Sequence, residues 1–435
     1  MIEIVSKKSV LKMKKFLTKN KVWVIFLLIL IIHSFFRFYQ LGTRSPFGWD
    51  QVDNAWVAKN IIVNHQWPLL GMQAKLNSGF FIGPFYYYLV AIVYFFTRLD
   101  PIASGIFAGI TSIFTFFVFY FLTKKLFSSK VALIAVFIHT FSLYIINFDR
   151  VQWPVNLIAP ISFIIFFALY KIINGRINYL FLLAVALGFS FHLNFTAVFF
   201  PLIILFALPF FPRNKQTLKY SFISLFLFLV WLVPNFLAEL GSQNVHTHNL
   251  INYLQTYYHG LHLVRILQLT KDAFIEFEGV LIGGVEALRV IKPIKYALFP
   301  LFCLTYFFSE PSRRRFTFCY LVGLWFLIPW LVFSVYSGEI SNYYFSSTRP
   351  VVIMILAYLT FRLLQLKNLL VTMTVIVFWL FYSFSSTQNF LNFKGHGLDY
   401  QRSQVREAIK KGKIIEFKQG VPESYLYYIY TRNDL

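Results

Sequence analysis

Asp50 lies in Ser45-Pro46-Phe47-Gly48-Trp49-Asp50-Gln51-Val52-Asp53-Asn54-Ala55-Trp56, just past the first long apolar run of the chain. A carboxylate at that position has two uses. It can start a helix as an N-cap, because an acid before an apolar-periodic stretch is a common helix start, or it can do acid–base work at a membrane surface. Asp53, one helical turn on, fits a solvated or ion-paired face as well as an active site. Asp149 stands beside Arg150 and is either a second active-site acid or the arginine's neutralising partner. His192 falls between two apolar segments, where hydrogen-bonded buried histidines are common. Arg349 precedes Pro350, where a basic side chain can reach back to the interface. His246, His248, His259 and His262 include His-x-His and His-x-x-His spacings able to ligate a metal. No carboxylate sits at matching spacing, so they read as polar loop surface and no metal site is assigned.

The elements that must position these residues are membrane helices. With 58% hydrophobic and 21% aromatic residues, 13% charged residues and a mean hydropathy of +0.64, the 435 residues cannot cover a water-soluble globule. In hydrocarbon only helices or closed barrels satisfy their own backbone, and long apolar runs without period-two alternation exclude the barrel. Eleven spans are predicted, at 22–40, 101–123, 131–148, 156–173, 178–192, 195–212, 218–238, 294–309, 316–336, 350–366 and 368–386. Residues 83–97 are apolar too, but 15 residues reach only ~22 Å against ~30 Å of hydrocarbon. They are read as an interfacial, juxtamembrane helix. Cys303 and Cys319 both lie in apolar runs, which leaves no disulfide framework or cysteine metal site.

Charge sets the expected orientation, because short cytoplasmic loops are enriched in Lys and Arg. With 83–97 not crossing, the N-terminal tail (Lys7, Lys8, Lys12, Lys14, Lys15, Lys19, Lys21) and five short loops hold half of the 40 basic residues on the cytoplasmic side. Only Glu3 and Glu310 accompany them, out of 17 acids in the chain. The domain plan is a basic tail at 1–21, a transmembrane domain at 22–386 with extracytoplasmic loops at 41–100 and 239–293, and an extracytoplasmic appendage at 387–435. The first loop reads as an amphipathic helix around 50–64, a turn at His65 to Pro68 and the juxtamembrane helix; the 239–293 loop reads as polar and irregular. The appendage mixes a helical stretch, Tyr400 to Lys411, with strand-like runs at Lys413 to Phe417 and Tyr425 to Tyr430, a small α/β unit. The net charge of +23 resides in short loops beside spans, so nucleic acid is not a partner. The chain is expected in the plasma (inner) membrane, its N-terminus cytoplasmic and its C-terminus extracytoplasmic.

Residues 20 to 215 resemble the GT-C superfamily of polyprenyl-phosphate-dependent glycosyltransferases, in particular the bacterial relatives of protein O-mannosyltransferases and aminoarabinose transferases. Asp50 with Ala55 and Ile61 fits the frame in which that family opens a helix after its first span. Pro68-Leu69-Leu70-Gly71 and Gly83-Pro84-Phe85-Tyr86-Tyr87-Tyr88-Leu89 resemble the ensuing turn and juxtamembrane helix. Arg150-Val151-Gln152-Trp153-Pro154-Val155-Asn156 looks like the arginine followed by Trp-Asn-Pro, and Phe191-His192-Leu193-Asn194-Phe195-Thr196 resembles a His-aromatic-Thr turn. There are three departures. Gln51 replaces a second acid, the Trp-Asn-Pro order is scrambled, and Gly83 stands where the aminoarabinose branch has lysine.

The resemblance implies an all-helical membrane enzyme that moves one sugar from a polyprenyl-phosphate carrier to a hydroxyl on a glycan, lipid or protein at the extracytoplasmic face, with inversion. The phosphate carrier is already a good leaving group, so one base suffices where glycosidases need two carboxylates. By the resemblance that base is Asp50, with Asp53 and Asp149 as further acids of the site. Arg150, His192, Arg349 and Arg44, all at predicted outer boundaries, are the expected holders of the lipid phosphate. No cofactor is implied beyond the lipid-linked donor, and the sequence leaves a divalent-metal requirement open. A membrane polymerase or ligase of lipid-linked glycans is the alternative enzyme. A transporter would show inverted repeats and more mid-span ionisable groups than His33 and His139.

Overall fold

The computed structural model describes residues 20–75, 78–258, 260, 262–309 and 312–432. The basic tail from Lys7 to Lys19, His259, Glu310 and the side chains of Arg313 and Arg314 lie outside the described residues. The rest is a bundle of helices: α1 (Lys21–Phe38), α2 (Leu41–Arg44), α3 (Trp49–Asn64), α4 (Phe85–Phe96), α5 (Ile102–Leu126), α6 (Ser129–Phe141), α7 (Leu143–Asp149), α8 (Ile158–Ile173), α9 (Tyr179–Ser190), α10 (Phe199–Ala207) and α11 (Lys215–Gly241). Then follow α12 (Val245–Tyr257), α13 (Leu263–Asp272), α14 (Ile275–Ile282), α15 (Lys295–Ser309), α16 (Ser312–Ser334), α17 (Arg349–Leu364), α18 (Leu369–Asn392), α19 (Leu398–Lys410) and α20 (Pro422–Thr431).

Each predicted span coincides with a helix, but not all are alike. Among the described residues seven helical stretches are long and apolar enough to cross a membrane unaided, and α6 with α7 makes an eighth that bends by 70°. The segments at 179–190, 195–210 and 295–309 are shorter. α4 has 12 residues, in keeping with a juxtamembrane element, and it lies along α3. The 239–293 loop is more ordered than its polarity suggested: it folds into α12, α13 and α14. α14 penetrates the bundle, with Phe277 and Val280 fully buried. Gly279 and Gly283 make that possible, because the Tyr144 side chain lies where their side chains would be. Among the described residues no strand forms, so the appendage is two helices. Lys413 to Phe417 is a loop, and Tyr425 to Tyr430 belongs to α20, whose aromatic rows pack on α3.

The bend between α6 and α7 is where the bundle is tied together. Breaking a helix frees carbonyls that lipid cannot satisfy. At Ser142 those of His139 and Thr140 accept from the Arg37 guanidinium of α1, at 2.9 and 3.0 Å. The same guanidinium pairs with Asp149 Oδ2 (2.8 Å), which also accepts from Ser112 Oγ at 2.6 Å. His33 bonds Ser112 and Thr140, and its ring stacks on His139. Arg37 and Asp149 are thus buried together as a neutralised pair.

Removing one member of a buried pair strands the other, a loss of about 3–5 kcal/mol. Arg37→Gln and Asp149→Asn should each lower thermal stability strongly in detergent. An Arg37→Met/Asp149→Leu double variant should lose less than the two single losses added, and strict additivity in a thermal-unfolding series would refute the coupling.

Candidate functional site

The first turn of α3 presents Asp50. Gly48, not Asp50, is the N-cap; the Gln51 carboxamide oxygen accepts from Gly48 N–H at 3.1 Å, while its Nε2 donates to the Gln152 carbonyl at 2.8 Å. Gln51 therefore fastens the helix start to the 150–156 segment and leaves Asp50 free of capping work. That second segment is held by its own amide. Asn156 Nδ2 donates to the Val151 carbonyl at 2.5 Å, and its Oδ1 accepts from Trp153 Nε1 at 2.9 Å.

Asp50 lines a cavity of about 300 Å³ together with Met72, Lys75, Trp153, Asn194, Glu339 and Tyr343, among other residues. Five stretches of the sequence converge there: the start of α3, the 72–82 loop, the 153–155 turn, Leu193-Asn194, and 339–344. Asp50 is half-buried, and among the described residues its carboxylate makes no hydrogen bond or ion pair. Burial, and after it the charge of Asp53, raise its pKa above the ordinary aspartate value. Asp53 does not line the cavity; its Oδ2 accepts from Gln419 Nε2 at 3.3 Å, in the C-terminal segment.

The cation of the cavity wall is Lys75. Its ammonium donates to Tyr336 Oη at 2.7 Å and lies over the rings of Tyr257 and Tyr336. Tyr336 Oη also bonds Tyr253 Oη at 2.6 Å, and Arg265 of α13 donates to the Tyr336 and Gly338 carbonyls at 3.3 and 3.0 Å. Arg265 lines an adjoining cavity of about 550 Å³ with His262, Gln268 and Ser334–Ser337. Two cations thus bond the Tyr336 stretch, Lys75 at the Tyr336 hydroxyl and Arg265 at the backbone carbonyls.

The cations expected to hold phosphate have other partners. Arg150 donates to the carbonyls of Phe36 (2.7 Å), Arg37 (3.1 Å) and Tyr39 (2.9 Å), capping α1. Arg44 does the same for α18 through Phe390 and Leu391 (2.6 and 2.8 Å). Arg349 is clamped by both oxygens of Glu276 in α14 (2.8 and 3.0 Å), with its guanidinium over Phe148. His192 accepts from Phe85 N–H on Nδ1 (3.2 Å) and, with Nε2 2.9 Å from the Trp231 carbonyl, is held as a neutral donor there. Its ring occupies the space a side chain at Gly83 would need. None of these four lines the Asp50 cavity, and neither does Asp149, which pairs with Arg37 and not with its neighbour Arg150.

Sequence reasoning missed Lys75, Arg265, Gln51 and Glu276. Gln51 carried a signal, because Gly48 and Gln51 stand at capping-box spacing. Glu276 is an acid inside the apolar run Ile275–Ile282. Of the loop histidines, His259 lies outside the described residues. Among the described residues the grouping with three possible ligands is His33, His139 and Asp149, whose shared carboxylate oxygen Arg37 already holds.

No protein-family model matches the chain, and no curated protein matches it in sequence. Its fold is nonetheless similar to solved structures. ArnT from Cupriavidus metallidurans bound to undecaprenyl phosphate superimposes with a TM-score of 0.64 at 11% identity, over 94% of this chain and 85% of that one. The apo state of that protein gives 0.62 at 12% identity, over the same shares. The archaeal oligosaccharyltransferase AglB from Archaeoglobus fulgidus, in complex with an inhibitory peptide and a dolichol-phosphate, gives 0.55 at 12% identity, over 93% of this chain and 60% of that one. These likenesses show that the chain has the fold of these structures, the GT-C membrane fold.

Proposed function

We propose that the chain is an integral-membrane glycosyltransferase that moves a sugar from a polyprenyl-phosphate carrier to an acceptor hydroxyl at the extracytoplasmic face, with inversion. The observation that carries this reading is the cavity itself, lined by a carboxylate of raised pKa without a partner among the described residues, by an ammonium, and by aromatic and amide side chains. The fold it shares with ArnT, solved with undecaprenyl phosphate, and with AglB, solved with a dolichol-phosphate, supports a lipid-linked donor.

In this reading Asp50 accepts the acceptor's proton as the hydroxyl oxygen bonds to the anomeric carbon. The bond from that carbon to the phosphate oxygen breaks on the opposite side, and polyprenyl phosphate departs with the electron pair. The departing phosphate needs donors where charge develops. Lys75, with Arg265 beyond Tyr336, fits that task better than Arg150, Arg44, Arg349 or His192, whose polar atoms already have partners. We assign those four a supporting role, fixing the helix ends around the cavity. Trp153 and Tyr343, with ring centroids 4.9 Å apart, offer flat surfaces for a sugar ring, and Asn194 and Gln73 offer amides for its hydroxyls. The charge asymmetry of the loops supports the extracytoplasmic face.

Transfer of radiolabelled sugar from a panel of synthetic polyprenyl-phosphate sugars, by purified protein in lipid, tests the reading. Asp50→Asn should lower the rate by about 10²–10⁴-fold in folded protein. A fully active Asp50→Asn protein would move the base elsewhere. Lys75→Ala should cost about tenfold or more, from loss of a charge-assisted bond, whereas Arg44→Lys should leave the chemical step nearly unchanged; the reverse order would return the phosphate to the boundary arginines. Because Asp50 must be ionised to act and its pKa is raised, activity should rise with pH through a value above the ~3.9 of an ordinary aspartate. A rate already at its plateau at that value would contradict the assignment.

A further inference from the structure

The C-terminal segment returns to the helix that carries Asp50. Gly397 N–H donates to the Thr43 carbonyl at 3.1 Å, and Gln401 Nε2 to the Phe47 carbonyl at 2.9 Å. Arg402 pairs with Asp100 and Asp399. Tyr425, fully buried, packs between Phe47 and Trp56 and donates its hydroxyl to the Leu99 carbonyl at 2.9 Å. Trp56 is surrounded by Phe417, Tyr425 and Tyr428. At Gly420, where φ is +69°, the backbone lies against the Trp49 ring, which leaves no room for a side chain. This close approach brings residues 419 and 420 to Asp53: Gln419 Nε2 is 3.3 Å from Oδ2, and burial raises the Asp53 carboxyl above its ordinary value while Gln419 and the Gly420 backbone work against that rise.

We propose that the C-terminal segment is part of the active centre: Gln419 and Gly420 hold Asp53 as a hydrogen-bonded carboxylate one helical turn from Asp50, making Asp53 and Gln419 positioning residues that keep Asp50 a strong base. The inference rests on the reading of Asp50 as the base. Residues three apart on a helix are neighbours, about 5–6 Å between Cβ atoms, so a charged Asp53 disfavours ionisation of Asp50 and strengthens its hold on a proton. Neutral donors suit this purpose where a cation would cancel the effect. Asp50 shares the cavity lining with Lys75, Glu339, Tyr343 and Tyr344, and from α4 Tyr86 and Tyr87 face it. Lys75 is bonded to Tyr336. Asp53 faces Tyr87 and the 419–420 turn; Lys413, Glu416 and Lys418 of that loop are exposed, and among the described residues none pairs with it.

Infrared difference spectra, each variant minus the same variant carrying Asp50→Asn, isolate the Asp50 carboxyl and follow its protonation with pH in the full-length, lipid-reconstituted protein. Asp53→Asn keeps a hydrogen bond to Gln419, whose carbonyl can accept from the new amide, and removes only the charge. The Asp50 midpoint should fall by about half to one pH unit. Gln419→Ala should lower it by less, because Asp53 then takes a proton more readily. Gln419→Ala should add nothing to Asp53→Asn, and Asp53→Glu should restore most of the original midpoint. An unchanged or raised midpoint in Asp53→Asn overturns the proposal. Sugar transfer on the same samples separates the two readings. A midpoint shift in protein whose transfer does not depend on Asp50 leaves the coupling standing and rejects the base. Asp50-dependent transfer without a shift does the opposite.

Discussion

A guanidinium inside a membrane bundle has to be neutralised and to donate all its N–H groups, and the fold near Asp50 follows from how Arg37 meets that demand. It reaches from α1 into the break between α6 and α7, where it finds the two freed carbonyls of His139 and Thr140 and the carboxylate of Asp149. The exchange is reciprocal. Arg150, the residue after that carboxylate, turns back and caps the carbonyls at the end of α1. Each helix thus closes the polar end of the other, and the 70° bend becomes a fixed angle. Gln152, two residues further on, then offers its carbonyl to Gln51, which passes that fixed position on to the start of α3.

The same logic sorts the remaining cations. A helix C-terminus carries unsatisfied carbonyls and a partial negative charge. Arg150 and Arg44 take up such carbonyls, and Arg349 is balanced by a carboxylate brought into the bundle by α14. What sets Lys75 apart is its partner, since a tyrosine hydroxyl at 2.7 Å does not neutralise an ammonium. Charge beside a cavity is useful to a substrate only when the protein has left it uncompensated, and among the described residues of this cavity Asp50, Glu339 and Lys75 meet that criterion.

Hydropathy made the helices legible, and it did so because the bilayer imposes length and composition on each one. The break at Ser142 was not legible: 131–148 reads as one apolar run, and the bend depends on a side chain 105 residues earlier. Asp50 stood out because an acid so near a span requires a reason. The partners of Arg150 and Arg44 could not be read, since a boundary cation that grips phosphate and one that caps a helix have the same sequence signature. Tyr425 to Tyr430 illustrates a different failure. A run of tyrosines and aliphatics has strand propensity in isolation, but propensity yields to packing, and here a helical face buries Tyr425 and Leu426 against α3.

Gln51 is the position where this chain departs most clearly from the pattern that it otherwise resembles, and the geometry explains what the departure does. A carboxylate there could accept from Gly48 N–H but could not donate to the Gln152 carbonyl, and it would set a negative charge against that oxygen. The amide does both at once, at 3.1 and 2.8 Å. The substitution exchanges a second acid for a rigid link between the two segments that wall the cavity, leaving Asp50 as the acid of the α3 start that faces it. A carboxylate without a bonded partner among the described residues, on a helix start fixed by a neutral amide, is suited to taking up one proton. The amide at 51 supplies that fixed start, and an acid there would lose the bond to the Gln152 carbonyl.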